Sequence, residues 1–306
     1  MNSVRLVAEL RGVLADAGLA GSFLVRDLAS GEQVGIDADR VLPVASLVKL
    51  PLALAVLQRR HAGLLDGAEA IDVLPGGERA PGDGSASGPV GLSRFSHPAR
   101  VAVDDLLYLS VSMSDNAAAD ALFGLVPPRD VHGALRDAGF EGIAVRHRMR
   151  DLSDAAAGSL TPHRAGLAHA LAIGASTPGQ GHQVAQLDAS RANAGSARAF
   201  ADLLHELWQP TRVPPEVAER LRLLMRENVF RQRLAPDFAS DAETWSSKTG
   251  TLLNLRHEVG VVEHEDGDML AVAALTESRV PAAAQPAAEA AMARVARALH
   301  DHLRGR

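Results

Sequence analysis

Ser46 and Lys49 stand three residues apart in the run Val44-Ala45-Ser46-Leu47-Val48-Lys49. On a helix that spacing makes two side chains neighbours. A serine hydroxyl is a weak nucleophile until a base takes its proton, and a lysine can do so only where burial or a second cation lowers its pKa. Val44, Ala45, Leu47 and Val48 supply apolar surroundings. A helix N-terminus at Ser46 would add a backbone N–H, half of an oxyanion hole. Two further triplets follow in order. Ser114-Asp115-Asn116 offers a hydroxyl that could relay a proton and an amide that could hold a substrate amide or the lysine. Lys248-Thr249-Gly250, followed by Thr251, offers a second cation and a hydroxyl for a carboxylate. Gly250 would let a ligand approach the backbone closely, and the Thr251 N–H could complete the oxyanion hole. Taken singly, each motif is also an ordinary cap, helix break or turn. All three in this order, each in a fitting context, point to acyl transfer through a serine.

Those motifs need elements to hold them. Apolar residues at helical spacing predict an opening helix over 4–14, ending near Gly18. Strands are expected at 21–27 and 33–36, around the turn Ala29-Ser30-Gly31-Glu32. An apolar helix covers 52–60 and ends in a basic turn. Pro51 is tolerated only in a first turn, so the regular helix is expected to start close to Ser46. Residues 75–91 are a Gly/Pro/Ser-rich loop. Helices are expected at 103–113, running into Ser114, then at 117–123, at 131–138 before Gly139, and at 160–173. A connector follows at 174–183. A helix is expected at 193–208, with Ser196 a candidate cap, and another at 217–228. A strand through Lys248, strands at 258–263 and 269–276 around the turn Glu265-Asp266-Gly267-Asp268, and a helix at 287–303 close the chain. Strands thus gather at both ends, with helices between. The expectation is a single domain over 1–306, of mixed α/β (α+β) class. One antiparallel sheet is built from both termini and flanked by helices, and an all-helical lobe is inserted. The α/β lobe takes about 1–45 and 209–306, the helical lobe about 46–208.

Composition narrows the function classes. Of 306 residues, 47% are hydrophobic and 22% charged, and the net charge is −6, so no basic footprint for nucleic acid is expected. Aromatics at 3% leave little for base stacking, and the absence of cysteine removes disulfides and thiolate chemistry. Twelve histidines show no paired metal spacing, and no cofactor fingerprint is present. His257, beside Arg256, is expected to be packed or solvated rather than part of a site. No stretch suits a membrane span or a secretory signal. With Met1 as the native start, the expected location is the cytoplasm.

The chain resembles the penicillin-recognising serine hydrolases, most of all their class A β-lactamase branch. The likeness lies in residues 42–60 (LPVASLVKLPLALAVLQRR), 103–122 (VDDLLYLSVSMSDNAAADAL) and 246–262 (SSKTGTLLNLRHEVGVV). The resemblance implies a β-lactamase/transpeptidase-like fold with Ser46 as the acylated nucleophile and Lys49 as its activator. It implies that Ser114 passes the proton to the leaving nitrogen and that Asn116 positions substrate and Lys49. Lys248, Thr249 and Arg256 would bind a substrate carboxylate, beside Gly250, and the N–H groups of Ser46 and Thr251 would form the oxyanion hole. The partner implied is a small β-lactam, amide or ester, with no cofactor, metal, nucleic acid or membrane.

One family feature is missing. The E-x-x-L-N motif, whose glutamate activates the deacylating water, does not occur between Ser114 and Asn193. Glu141 is the only glutamate there, and Asp151 and Asp154 are the candidate stand-ins. Acylation through Lys49 is then expected without the usual deacylation base. The expected activity is β-lactamase-like serine hydrolysis. The alternatives are an intracellular esterase, amidase or transacylase on the same fold, or a non-catalytic binding protein.

Overall fold

The computed structural model describes residues 2–74, 88–151, 170, 172–174, 182, 184–240, 243–280 and 285–305. Helix α1 (Ser3–Asp16) is capped by the Asn2 side chain, which accepts from the Val4 N–H, and buries Leu6, Leu10 and Leu14 on one face. Strands β1 (Leu19–Asp27) and β2 (Gln33–Ile36) form a hairpin. The short β3 (Leu42–Pro43) leads into a 3₁₀ turn over Ala45–Val48 and then helix α2 (Lys49–His61). Next come β4 (Ala70–Val73), β5 (Ala99–Ala102), α3 (Val103–Val111), α4 (Asn116–Leu125) and α5 (Pro128–Asp137). Further along lie β6 (Ala194–Gly195), α6 (Ala197–Trp208), α7 (Pro215–Arg226) and the short α8 (Ala235–Phe238). Strands β7 (Glu243–Leu252), β8 (Leu255–His264) and β9 (Met269–Ser278) precede the closing helix α9 (Pro286–Arg304).

The main sheet has the order β2-β1-β9-β8-β7, every neighbour antiparallel. Its centre joins the two ends of the chain, with Leu19 opposite Ser278 and Asp27 opposite Leu270. Alternate residues face opposite ways, so each strand feeds two cores. Phe23, Val25, Val262, Leu270 and Val272 pack with α1 and α9. Leu24, Val259, Val261, Ala271 and Ala273 pack on the other face with residues of α2, α6 and α7. Helix α2 is enclosed by α3, α4, α5 and α7, and every residue from Lys49 to Leu57 is buried. A helix apolar all round belongs in such a position, and the same enclosure strips water from Lys49.

Three local expectations change. The regular α-helix starts at Lys49, not near Ser46, which lies in the 3₁₀ turn, while Pro51 keeps to the first turn as its chemistry requires. The helix expected from residue 193 begins at Ala197. Ala194–Gly195 is drawn into pairing with Leu42–Pro43, and the Ser196 side chain caps the helix by accepting from Ala199 N–H. Between residues 46 and 208 the chain is not wholly helical, because β4 and β5 pair. Most of the helix expected at 160–173, of its connector and of the loop 75–91 lies outside the described residues, although residues 170 and 172–174 are helical. No helix among the described residues is long and apolar enough to cross a membrane.

Candidate active site

Ser46 sits on a turn under two constraints. Ala45 has φ +49°, which an L side chain rarely adopts, and this aims the turn. Strand β7 lies directly against it. A Cβ on Gly250 would stand 2.9 Å from Val44 O and 3.2 Å from Leu47 Cγ. Gly250 therefore admits the chain's own Ser46 turn, a different reason for glycine from the ligand approach expected. His257 pins the residues just before it. Its Nε2 lies 2.9 Å from Pro43 O, and its Nδ1 accepts from Thr276 N–H at 3.1 Å, which makes Nε2 the protonated nitrogen. Burial pushes the His257 pKa down to about 4, so it is neutral at pH 7.

Lys49 is fully buried, and four oxygens surround its Nζ. They are Ser46 Oγ at 3.2 Å, Ser114 O at 2.6 Å, Ser114 Oγ at 3.3 Å and Asn116 Oδ1 at 2.7 Å. An ammonium has three protons to give. The neutral amine instead has a lone pair, which a serine O–H can approach. Burial lowers the Lys49 pKa to about 7, against the pull of the Asp115 and Asp120 carboxylates, so both forms are populated at neutral pH. Lys248 is also fully buried, with Nζ 2.8 Å from Ser114 Oγ and 2.9 Å from Thr249 O. Burial first, then the nearby Lys49 and Arg233 cations, hold its pKa well below the usual ammonium value. Ser114, itself at φ +59°, thus places its hydroxyl between two amines. Asp115 caps α4 through the Ala117 N–H and holds Ser93 Oγ at 2.5 Å. Its place in the motif is to tie residues 92–93 to the helix.

Ser46, Ser114, Asn116, Thr249, Thr251 and Arg256 line one cavity of about 390 Å³. Arg256 does not simply face it as a free cation. Its Nη1 donates to Leu253 O at 2.6 Å and Leu255 O at 2.7 Å, and its Nε lies 3.8 Å from Glu289. Two charged wall residues were not foreseen. Arg233 donates from Nη1 to Gly250 O and His257 O, from Nη2 to Thr251 Oγ1 at 2.6 Å, and from Nε to Glu289 Oε1 at 2.9 Å. Glu289 comes from the first turn of α9. Neither belongs to a motif, and only the tertiary fold brings them to the cleft.

Neither Glu141 nor Asp151 is found in the cavity wall. Both are exposed, and Asp151 accepts from Arg148 N–H at 2.8 Å. Asp154 lies outside the described residues. Asp120 was also missed, although it follows Asn116 by one helical turn and so shares its face. It is 2% exposed, burial raises its pKa, and its oxygens accept from the N–H groups of Met149 at 2.7 Å and Arg150 at 3.0 Å. It anchors the 149–150 backbone close enough to Lys49 for its charge to be felt there.

A helical interior that desolvates one lysine, a sheet edge that brings a second, and a serine between them define a family. The chain belongs to the beta-lactamase enzyme family, whose model matches residues 5–303. Solved structures share the fold. PBP-A superposes with a TM-score of 0.76 at 17% identity, over 99% of this chain and 97% of that one. A β-lactamase from Chitinophaga pinensis gives 0.75 at 20% identity, over 98% and 99%. At the level of sequence, the chain is 60% identical to the β-lactamase regulatory protein BlaB of Streptomyces cacaoi, with 99% of each chain covered.

Proposed function

We propose that Ser46 accepts an acyl group from a β-lactam or a related amide or ester. The observation that carries this is the buried Lys49 Nζ, 3.2 Å from Ser46 Oγ with its pKa brought to about 7. Lys49 takes the Ser46 proton as Oγ bonds to the acyl carbon. The C–N or C–O bond then breaks, and Ser114, held between Lys49 and Lys248, gives its proton to the leaving atom and regains one from Lys49. Asn116 keeps Lys49 and the substrate amide in place. Lys248, Thr249 and Thr251 receive the far end of the ligand, and the Ser46 and Thr251 N–H groups receive the oxyanion. Release of the acyl group is slow for a β-lactam, because the chain lacks the E-x-x-L-N glutamate. A smaller acyl group, as in an esterase or amidase, leaves more room for water.

Sixty per cent identity to a protein named for β-lactamase regulation supports a second reading, in which occupancy of the cleft, not turnover, is the output. A long-lived acyl-enzyme, or a ligand held without chemistry, would serve that purpose. Intact-protein mass spectrometry after incubation with benzylpenicillin and with p-nitrophenyl esters separates the readings. The expected result is a persistent adduct on the native chain and none on Ser46→Ala. No adduct from either reagent would overturn acyl transfer, and nitrocefin hydrolysis far above the Ser46→Ala background would overturn slow release.

A further inference from the structure

Glu258 lies opposite Thr249 in the β7–β8 pairing and is fully buried. Its carboxylate meets three donors. Oε1 accepts from Trp245 Nε1 at 2.9 Å and from Ser247 Oγ at 2.7 Å, and Oε2 accepts from Leu234 N–H at 2.8 Å. Ser247 Oγ in turn accepts from Asn228 Nδ2 at 3.0 Å. The carboxylate therefore holds both ends of the segment 228–234, one directly and the other through Ser247. That segment joins the two walls of the cleft. Val229 N–H donates to Ser112 O at 3.0 Å, two residues before Ser114, while Asn228 fastens to Ser247, one residue before Lys248. Asn228 also brackets Phe230, accepting from its N–H at 3.1 Å and donating to its O at 3.3 Å. Strand β7 is the outermost of the main sheet and pairs there with β8 alone. The strap thus ties the helical wall that carries Ser114 to the sheet edge that carries Lys248. Across this junction Ser114 Oγ and Lys248 Nζ stand 2.8 Å apart.

We propose that Glu258 is a positioning residue that, by anchoring this strap, sets the gap between Ser114 and Lys248 and with it the delivery of a proton to the leaving atom. It touches neither the ligand nor the reacting atoms. This role rests on the reading of Ser46 as the acyl acceptor. Its mark is a dependence on the leaving group, because p-nitrophenolate departs without a proton whereas the nitrogen of a β-lactam needs one. Glu258→Gln keeps the shape of the side chain, but its amide accepts at one end only. Whichever way it lies, an NH2 group faces a donor and one hold on the strap is lost. First-turnover acylation of Ser46 would be followed on the native chain and on Glu258→Gln, each above the Ser46→Ala background. With p-nitrophenyl acetate the signal is released p-nitrophenolate, and with benzylpenicillin it is the adduct in timed mass spectrometry. The expected result is a penicillin rate lowered about tenfold and an ester rate changed by less than about twofold. The ratio of the two rates cancels any loss of folded protein. Ser247→Ala cuts Asn228 from the carboxylate while leaving it two donors, so it should move the ratio in the same direction, and it carries the test alone if Glu258→Gln does not fold. Equal losses with both reagents, or an unchanged ratio, would overturn the proposal. Failure of acyl transfer itself is read separately, as absence of any adduct on the native chain, and would remove this role with it.

Discussion

Lys49 and Glu206 are buried almost equally, at 0% and 4% exposure, yet the fold treats their charges in opposite ways. Glu206 lies near the end of α6, where the chain turns back toward α7. Its carboxylate accepts from the N–H group of Arg212, from those of Thr211 at 2.6 Å and Val213 at 2.9 Å, and from Thr211 Oγ1 at 2.9 Å. Burial alone would raise its pKa. The N–H groups of Arg212, Thr211 and Val213 outweigh burial and hold it at about 2. Lys49 is fully desolvated with only neutral oxygens in contact. The Asp115 and Asp120 carboxylates act on it from farther off, and burial prevails. Desolvation is common to both regions, and the direct partners decide the result. In the turn, a charge fully met by donors clamps 211–213 onto α6. In the cleft, a charge met by too little becomes a group that can exchange a proton at neutral pH.

The contrast can be broken from either side. The largest effect is expected for Lys49→Met, which should slow acylation of Ser46 about 10²–10⁴-fold, read by stopped-flow or timed mass spectrometry. Glu206→Ala strands three backbone donors and should cost at least about 2 kcal/mol in urea unfolding. The folded pKa of Glu206 lies below the ordinary carboxylate value of 4.5, so its contribution is complete above that pH. The gap between native and variant should shrink as pH falls from there toward 2. Lys49 has the opposite sign. Its folded pKa lies below the ordinary 10.5, so its burial costs stability in full below pH 7. Lys49→Met should therefore be the more stable protein there, by about 1–4 kcal/mol, with the advantage fading as pH rises toward 10.5. Gly250→Ala should have the smallest effect on stability, about 1–3 kcal/mol. It should also reduce acylation, because the new Cβ would push the Ser46 turn away from β7.

Much of this was legible because the chemistry is local. Three motifs in order singled out the serine, both amines and the hydroxyl between them, which the fold brings together, and strands expected through Lys248 and at 258–263 and 269–276 match β7, β8 and β9. What escaped is non-local. Ala194–Gly195 pairs with Leu42–Pro43 across most of the inserted helices, and an Ala/Gly stretch before a helix looks helical on its own. Arg233 and Glu289 reach the cleft from separate elements whose local patterns reflect only turn and helix. Asp120 was within reach of sequence reasoning through its four-residue step from Asn116. Gly250 was noticed for the right property, absence of a Cβ, but assigned to a ligand when its close neighbour is Val44 O.

The pairing of β1 with β9 also bears on how the protein is born. The first long strand leaves the ribosome with β2 as a partner, but its other edge stays open until β9, the last of the described strands, has been made. At typical synthesis speeds the wait is on the order of ten seconds or more. Closing so long a loop adds entropy that must be overcome before the central contacts form, which slows folding. Helices α1 and α9 then pack together, with Ser3 Oγ 3.1 Å from His302 Nε2. Lys248, late in the chain, reaches Ser114 only as the sheet closes. A truncated or stalled chain therefore carries Ser46 and Lys49 without the second amine that Lys248 brings to Ser114.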